Sequence, residues 1–126
     1  MTTKFKNISL GGWNVRGLND DRKCEVVRDY LSSNSFDILF LQETKLHDTT
    51  SYKRSIFLPA NLDEFEHVDA IGTAGGILTA WNSKNWKISA KIAKKRTLTV
   101  HFLSVTSDFQ FWATNVYGPT ADAERD

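Results

Sequence analysis

The apolar positions follow three different patterns within the first 45 residues, and each predicts an element. Over residues 6–15 (KNISLGGWNV), Ile8, Leu10 and Asn14 share one face of an extended segment while Trp13 and Val15 share the other, which predicts a strand. Asn19, Asp20 and Asp21 then supply helix-starting side chains. Cys24, Val27 and Leu31 follow at helical spacing with Tyr30 beside them, predicting a helix over residues 23–31 that Ser32 to Ser35 end. Residues 38–41 (ILFL) have no polar alternation at all, the pattern of a strand covered on both faces. Strand, helix and strand in succession predict a βαβ unit with parallel pairing.

The rest of the chain has a shorter period. A short helix is expected over residues 49–58, stopped by Pro59, and extended segments over 65–71, 77–81, 86–92, 97–105 and 109–117. In the third of these, Trp86, Ile88, Ala90 and Ile92 alternate with Lys87, Ser89 and Lys91. In the fourth, Leu98, Val100 and Phe102 alternate with Thr97, Thr99 and His101, which places His101 outward. The basic turn Lys94, Lys95, Arg96 between them predicts a hairpin. The fold class is α/β (α+β): a mixed sheet with a few flanking helices, parallel at one end and antiparallel at the other.

Composition narrows this little further. One domain of 126 residues, 40% apolar with 4 Trp and 8 Phe, is enough for a packed core. Sixteen basic against fifteen acidic side chains give a net charge of +1, which neither demands nor excludes a nucleic-acid partner. The single cysteine, Cys24, excludes an internal disulfide and a Cys-rich zinc site, and reads as a small core hydrophobe on the helix. No apolar run approaches the roughly 18 residues of a membrane span, and MTTKFKN has no signal-peptide core, so no membrane partner and an intracellular location are expected.

Candidate chemistry sits where apolar strands end in polar groups. Glu43 follows the ILFL strand directly. On position alone it is a solvated loop residue; in sheets with parallel strands, however, ligand chemistry collects at strand carboxyl ends, and a carboxylate there can hold a hard divalent cation. Asn14 closes the first strand, either as a turn-starting amide before Arg16-Gly17 or as a group orienting a phosphate or a metal-bound water. Tyr117 ends the last strand, on the face of Phe109, Phe111, Ala113 and Asn115; it is a packing residue or a hydroxyl donor to a phosphate oxygen. Gly75-Gly76 reads as a turn where strands approach closely. Lys94, Lys95 and Arg96 read as a solvated tip or a DNA-backbone contact, and His47, His67 and His101 follow no metal-ligand spacing.

Four segments in one order, GWNVRGLN (residues 12–19), LFLQETKL (39–46), GTAGGILTAW (72–81) and TNVYGP (114–119), resemble the endonuclease/exonuclease/phosphatase superfamily, and within it the endonuclease domain of LINE-type retrotransposons. The resemblance implies two sheets stacked face to face with helices outside, a four-layer α/β/β/α sandwich, and a Mg²⁺-dependent endonuclease (Mn²⁺ also serving) that hydrolyses DNA. By resemblance Glu43 binds the metal, Asn14 lies beside the metal–phosphate site and Tyr117 contacts the scissile phosphate. Gln42 and Thr44 flank the metal ligand as its orienting neighbours, Asn115 is a further substrate-binding candidate, and the location is the nucleus.

The family's later Asp-x-Asn and terminal Ser-Asp-His motifs have no counterpart here; Ser107-Asp108-Phe109 lacks the histidine and precedes Tyr117. The chain therefore reads as the N-terminal half of such a domain over residues 1–126, with TADAERD (120–126) beginning a helix. It is then a truncated reading frame, a degenerate element fragment or a shortened piece, and its inner sheet face is expected to need a partner from the absent half. The alternatives to a nuclease are a non-catalytic retroelement remnant and a phosphatase of the same superfamily.

Overall fold

The computed structural model describes residues 2–5, 8–47 and 50–118. Lys6 and Thr49, at the ends of two expected elements, and residues 120–126, expected to start a helix, lie outside them. Two sheets are formed. The first has the order β1-β2-β3-β5-β4, with β1 at Thr2–Phe5, β2 at Ile8–Asn14, β3 at Ile38–Gln42, β4 at Glu64–Val68 and β5 at Ile77–Trp81. Its β2–β3 pair is parallel and the others antiparallel, so the sheet is mixed. The second is the antiparallel order β6-β7-β8, with β6 at Trp86–Ala93, β7 at Thr97–Ser104 and β8 at Gln110–Val116.

Helix α1 (Asp21–Ser32) connects the parallel pair. Asp20 caps it, its carboxylate accepting from the Arg22 N–H at 2.9 Å, which satisfies a donor that has no partner inside the helix. Helix α2 (Ser51–Phe57) is capped in the same way by Thr50. No helix among the described residues is long and apolar enough to cross a membrane.

The alternation along β2, β3 and β5 sorts their side chains into two cores. Val15, Leu39, Leu41, Leu78 and Ala80 face the helices and pack with Cys24, Val27 and Leu31 of α1 and with Phe57. Cys24 is fully buried; burial pushes its thiol pKa up, and the thiol donates to the Leu18 carbonyl. On the other face Ile8, Ile38, Ile77 and Trp81 pack with Trp86, Leu98, Val100 and Phe102 of the second sheet. The inner face of the first sheet is thus covered by β6–β8 of the same chain, and the expectation of a bare inner face is corrected. Hydrophobic alternation predicted the strands but not which of them leave the first sheet to form a second.

Two further differences have local causes. Strand β1 was not anticipated, because TTKF is too short to show a period. In β6 the register shifts between Ile88 and Ala90, leaving Ser89 as an extra residue. The bulge reverses the facing of everything after it. Lys91 falls opposite Val100 and reaches Glu66 of β4 at 2.6 Å, while Ile92, expected inside, is 49% exposed.

Candidate functional site

The carboxyl ends of β2 and β3 lie side by side, with Asn14 opposite Gln42 in the parallel register. Beyond them the ladder continues without regular strand geometry. The Val15, Gly17 and Leu18 N–H groups donate to the carbonyls of Gln42, Glu43 and Thr44 at 3.0, 2.6 and 2.9 Å. On its other side the same segment donates from Thr44 and Lys45 to the Gly76 and Gly75 carbonyls at 3.0 and 2.9 Å. Residues 42–45 are therefore held from both flanks by backbone bonds.

Within this rim the backbone is strained. Of four non-glycine residues with positive φ among those described, three are Arg16 (57°), Glu43 (55°) and Lys45 (58°). Each costs an L-residue roughly 1–2 kcal/mol, and such conformations persist where surrounding bonds enforce them. For Glu43 the consequence is directional. An extended continuation of β3 would place it on the helix face, opposite to Gln42. The left-handed turn brings the carboxylate back to Asn14, whose amide donates to Glu43 Oε2 at 2.8 Å. Glu43 is half-buried and Asn14 exposed, so the pair stands at the solvent edge.

Gly76 permits the close approach of this segment. Its φ is 90°, and a Cβ there would overlap the Thr44 hydroxyl and come within 3.0 Å of the Lys45 nitrogen. Tyr117 lies beside Gly75: a Cβ added at Gly75 would meet the tyrosine ring at 3.6 Å. The Tyr117 N–H donates to the Arg96 carbonyl at 2.9 Å, which sets the basic turn of the β6–β7 hairpin beside this edge.

Asn14 and Glu43 are thus in direct contact, and Tyr117 neighbours Gly75, whose carbonyl bonds the segment that carries Glu43. The flanking residues occupy different places from those the sequence suggested. Gln42 donates to Asn115 Oδ1 at 2.8 Å and to the Phe40 carbonyl, not to Glu43. Thr44 is fully buried, its hydroxyl accepting from the Leu46 N–H. Asn115, a substrate-facing candidate in the sequence, is instead 1% exposed. Its amide nitrogen donates to the Leu41 and Leu78 carbonyls and to Thr79 Oγ1 at 3.0–3.2 Å, joining β8 to β3 and β5. With its polar atoms engaged in this way, Asn115 aligns the two sheets beneath the rim and has no surface left for a substrate. Sequence reading did not single out Arg16 or Lys45; their only signal was the glycine after Arg16, which hinted at a turn.

Among the described residues no group of three or more His, Cys, Asp or Glu side chains comes together. His47 bonds the Gly72 carbonyl, His67 pairs with Asp69, and His101 bonds Ser89 and stacks on Trp112. The rim offers a cation one carboxylate and a neighbouring amide. That donor set fits Mg²⁺, which typically takes one or two protein carboxylates and completes its shell with water and phosphate oxygens.

No protein-family profile matches the sequence, and no curated protein matches it. Solved structures do. An AP endonuclease from Leishmania major, LMAP, superposes with a TM-score of 0.62 at 20% identity, over 86% of this chain and 39% of that one. The catalytic domain of Xenopus laevis APE2 gives 0.61 at 18%, over 88% and 45%. TDP2 from D. rerio, crystallised with a single-strand DNA product, gives 0.61 at 18%, over 94% and 49%. All have the endonuclease/exonuclease/phosphatase fold. The present chain shares that fold as a partial sandwich and spans less than half the length of each of these structures.

Proposed function

We propose that this chain carries the metal- and phosphate-holding edge of a phosphodiesterase site that acts on DNA, of the kind found in LINE-type endonucleases. The observation that carries this reading is the Asn14–Glu43 pair, 2.8 Å apart on a strained rim at the ends of two parallel strands. Glu43 would hold Mg²⁺ or Mn²⁺. Bound there, the ion would neutralise charge on a phosphodiester and lower the pKa of a coordinated water. Asn14 fixes the carboxylate: its amide donates to Oε2 and so holds the side chain that would bind the ion in one orientation. Tyr117 would donate its phenol hydroxyl to a phosphate oxygen. Gln42 and Asn115 keep the last strand aligned with the first sheet, and through it the position of Tyr117. The DNA-processing names of two structural neighbours, an AP endonuclease and a TDP2 bound to a single-strand DNA product, support DNA as the substrate class. The resemblance to LINE-type endonucleases supports the nucleus as the place of action.

The metal site is tested with Mn²⁺ as a paramagnetic probe. The Gly17 amide, bonded to the Glu43 carbonyl, should broaden at substoichiometric Mn²⁺, and Glu43→Gln should abolish the effect. Uniform broadening in both proteins would refute Glu43 as the ligand.

The chain alone is expected not to cut DNA. The groups that would activate water in the family motifs have no match in its 126 residues, and a general base typically contributes ~10²–10⁴ in rate. Members of such a site act as a unit, so a surviving edge retains no proportional share of the rate. Supercoiled plasmid with Mg²⁺ or Mn²⁺ should show equal background nicking by the wild-type chain and Glu43→Ala. Metal-dependent nicking lost in Glu43→Ala would overturn this expectation.

A further inference from the structure

Arg16 sits two residues beyond Asn14 with φ at 57°, a conformation that glycine reaches without strain, as Gly17 does next to it at 101°. The loop's position is fixed by atoms that any residue at 16 would supply. The flanking Val15, Gly17 and Leu18 N–H groups bond the 42–44 carbonyls, and the Arg16 carbonyl accepts from Lys23 Nζ at 3.2 Å. A glycine would make the same bond with its carbonyl and avoid the strain.

The Arg16 side chain is not needed for packing either. The residue is exposed, and its guanidinium has no hydrogen bond or ion pair to a described residue. The nearby carboxylate does not use it: Glu43 takes the neutral Asn14 amide. The second cation of the rim, Lys45, runs its aliphatic stem over Gly17, where an added Cβ would meet it at 3.4 Å. Two cations thus flank one carboxylate on interlocked strained loops, an excess of positive charge at the edge where Asn14 and Glu43 meet. A guanidinium presents paired donors in a fixed fork that matches two oxygens of a phosphate.

We propose that Arg16 is a phosphate-binding residue whose guanidinium clamps a phosphodiester of a nucleic-acid strand beside Glu43. This rests on the phosphodiesterase reading of the same rim and adds to it a residue to which the resemblance gave no role.

The test uses the 126-residue chain with Ca²⁺, a hard oxygen-seeking cation, and a fluorescein-labelled DNA duplex, followed by anisotropy across a NaCl series. Arg16→Gly should melt at or above the wild-type temperature, because it removes strain, yet bind the duplex roughly tenfold more weakly. Its slope of log K against log salt should fall in magnitude by about one. Arg16→Lys should keep the wild-type slope and recover only part of the affinity. An Arg16→Gly protein with wild-type affinity and slope would overturn the proposal. So would a lowered melting temperature accompanying the loss, which would assign Arg16 to the fold.

A second titration separates this idea from the nucleic-acid reading. If the wild-type chain ignores the duplex but inorganic phosphate shifts its Gly17 amide resonance, and Arg16→Gly abolishes that shift, the clamp stands and the DNA reading falls. If the duplex binds wild type and Arg16→Gly alike, the clamp falls and DNA binding stands. No response to either ligand overturns the clamp.

Discussion

The Asn115 side chain bonds to three acceptors through its nitrogen and to Gln42 through its oxygen. Replacing it with Leu keeps the volume but strands Gln42 and the carbonyls of two neighbouring strands. Each buried polar group left unpaired costs about 1–3 kcal/mol, so Asn115→Leu should lose about 2–4 kcal/mol in a urea titration. A second residue-scale device sits away from the rim. The Ser83 hydroxyl donates to Asp63 at 2.6 Å and holds its carboxyl below the ordinary range. A depressed folded pKa stabilises above the unfolded pKa of about 3.9, and the gain is lost as pH falls through the folded value. Ser83→Ala should raise the Asp63 midpoint in a carbon-detected NMR titration. Its stability deficit should be present at neutral pH and vanish under acid conditions. At this scale the sequence was legible where chemistry follows from residue type and strand position: Asn14, Glu43 and Tyr117 could all be named as strand endings. It was opaque where conformation decides, because nothing in the letters of Arg16, Glu43 or Lys45 announces a positive φ.

Elements were legible in proportion to their length and regularity. Helix α1 declared itself because Cys24, Val27 and Leu31 repeat at its period and Asp20 caps it. Strand β6 misled for the same reason that it was easy to find. Its even alternation from Trp86 to Ile92 predicts one inward face, but the extra Ser89 turns the second half over. Ile88 and Ile92 therefore look equivalent in the sequence and differ in the fold, Ile88 packing against the inter-sheet core and Ile92 lying half in solvent. Ile88→Thr should cost about 1–2 kcal/mol through lost apolar burial, whereas Ile92→Thr should stay within ~0.5 kcal/mol, as surface changes do. Equal losses measured by chemical denaturation would place the bulge elsewhere.

Across the whole molecule, the two sheets meet through a cluster of aromatic side chains. Phe102, fully buried, makes ring contacts with Trp81 and Trp86 at 5.5 and 6.4 Å and with Phe111 at 5.5 Å. Phe102→Ala should cost about 3–5 kcal/mol and flatten the near-ultraviolet circular dichroism of the two tryptophans. The resemblance anticipated stacked sheets, yet the sequence could not show that β6–β8 alone would cover the first sheet: alternation reports which residues are buried, not what buries them.

The bonds of Asn115 also carry a consequence for the order of folding. Its partners lie 36, 37, 73 and 74 residues earlier in the chain. Contacts that far apart in sequence form slowly, because a long loop must close before they contribute. The strands that bear Asn14 and Glu43, by contrast, are joined by a single helix and can pair early. During synthesis the carboxylate rim can take shape while β8 is still being made, and it gains Tyr117 only when the last strand docks.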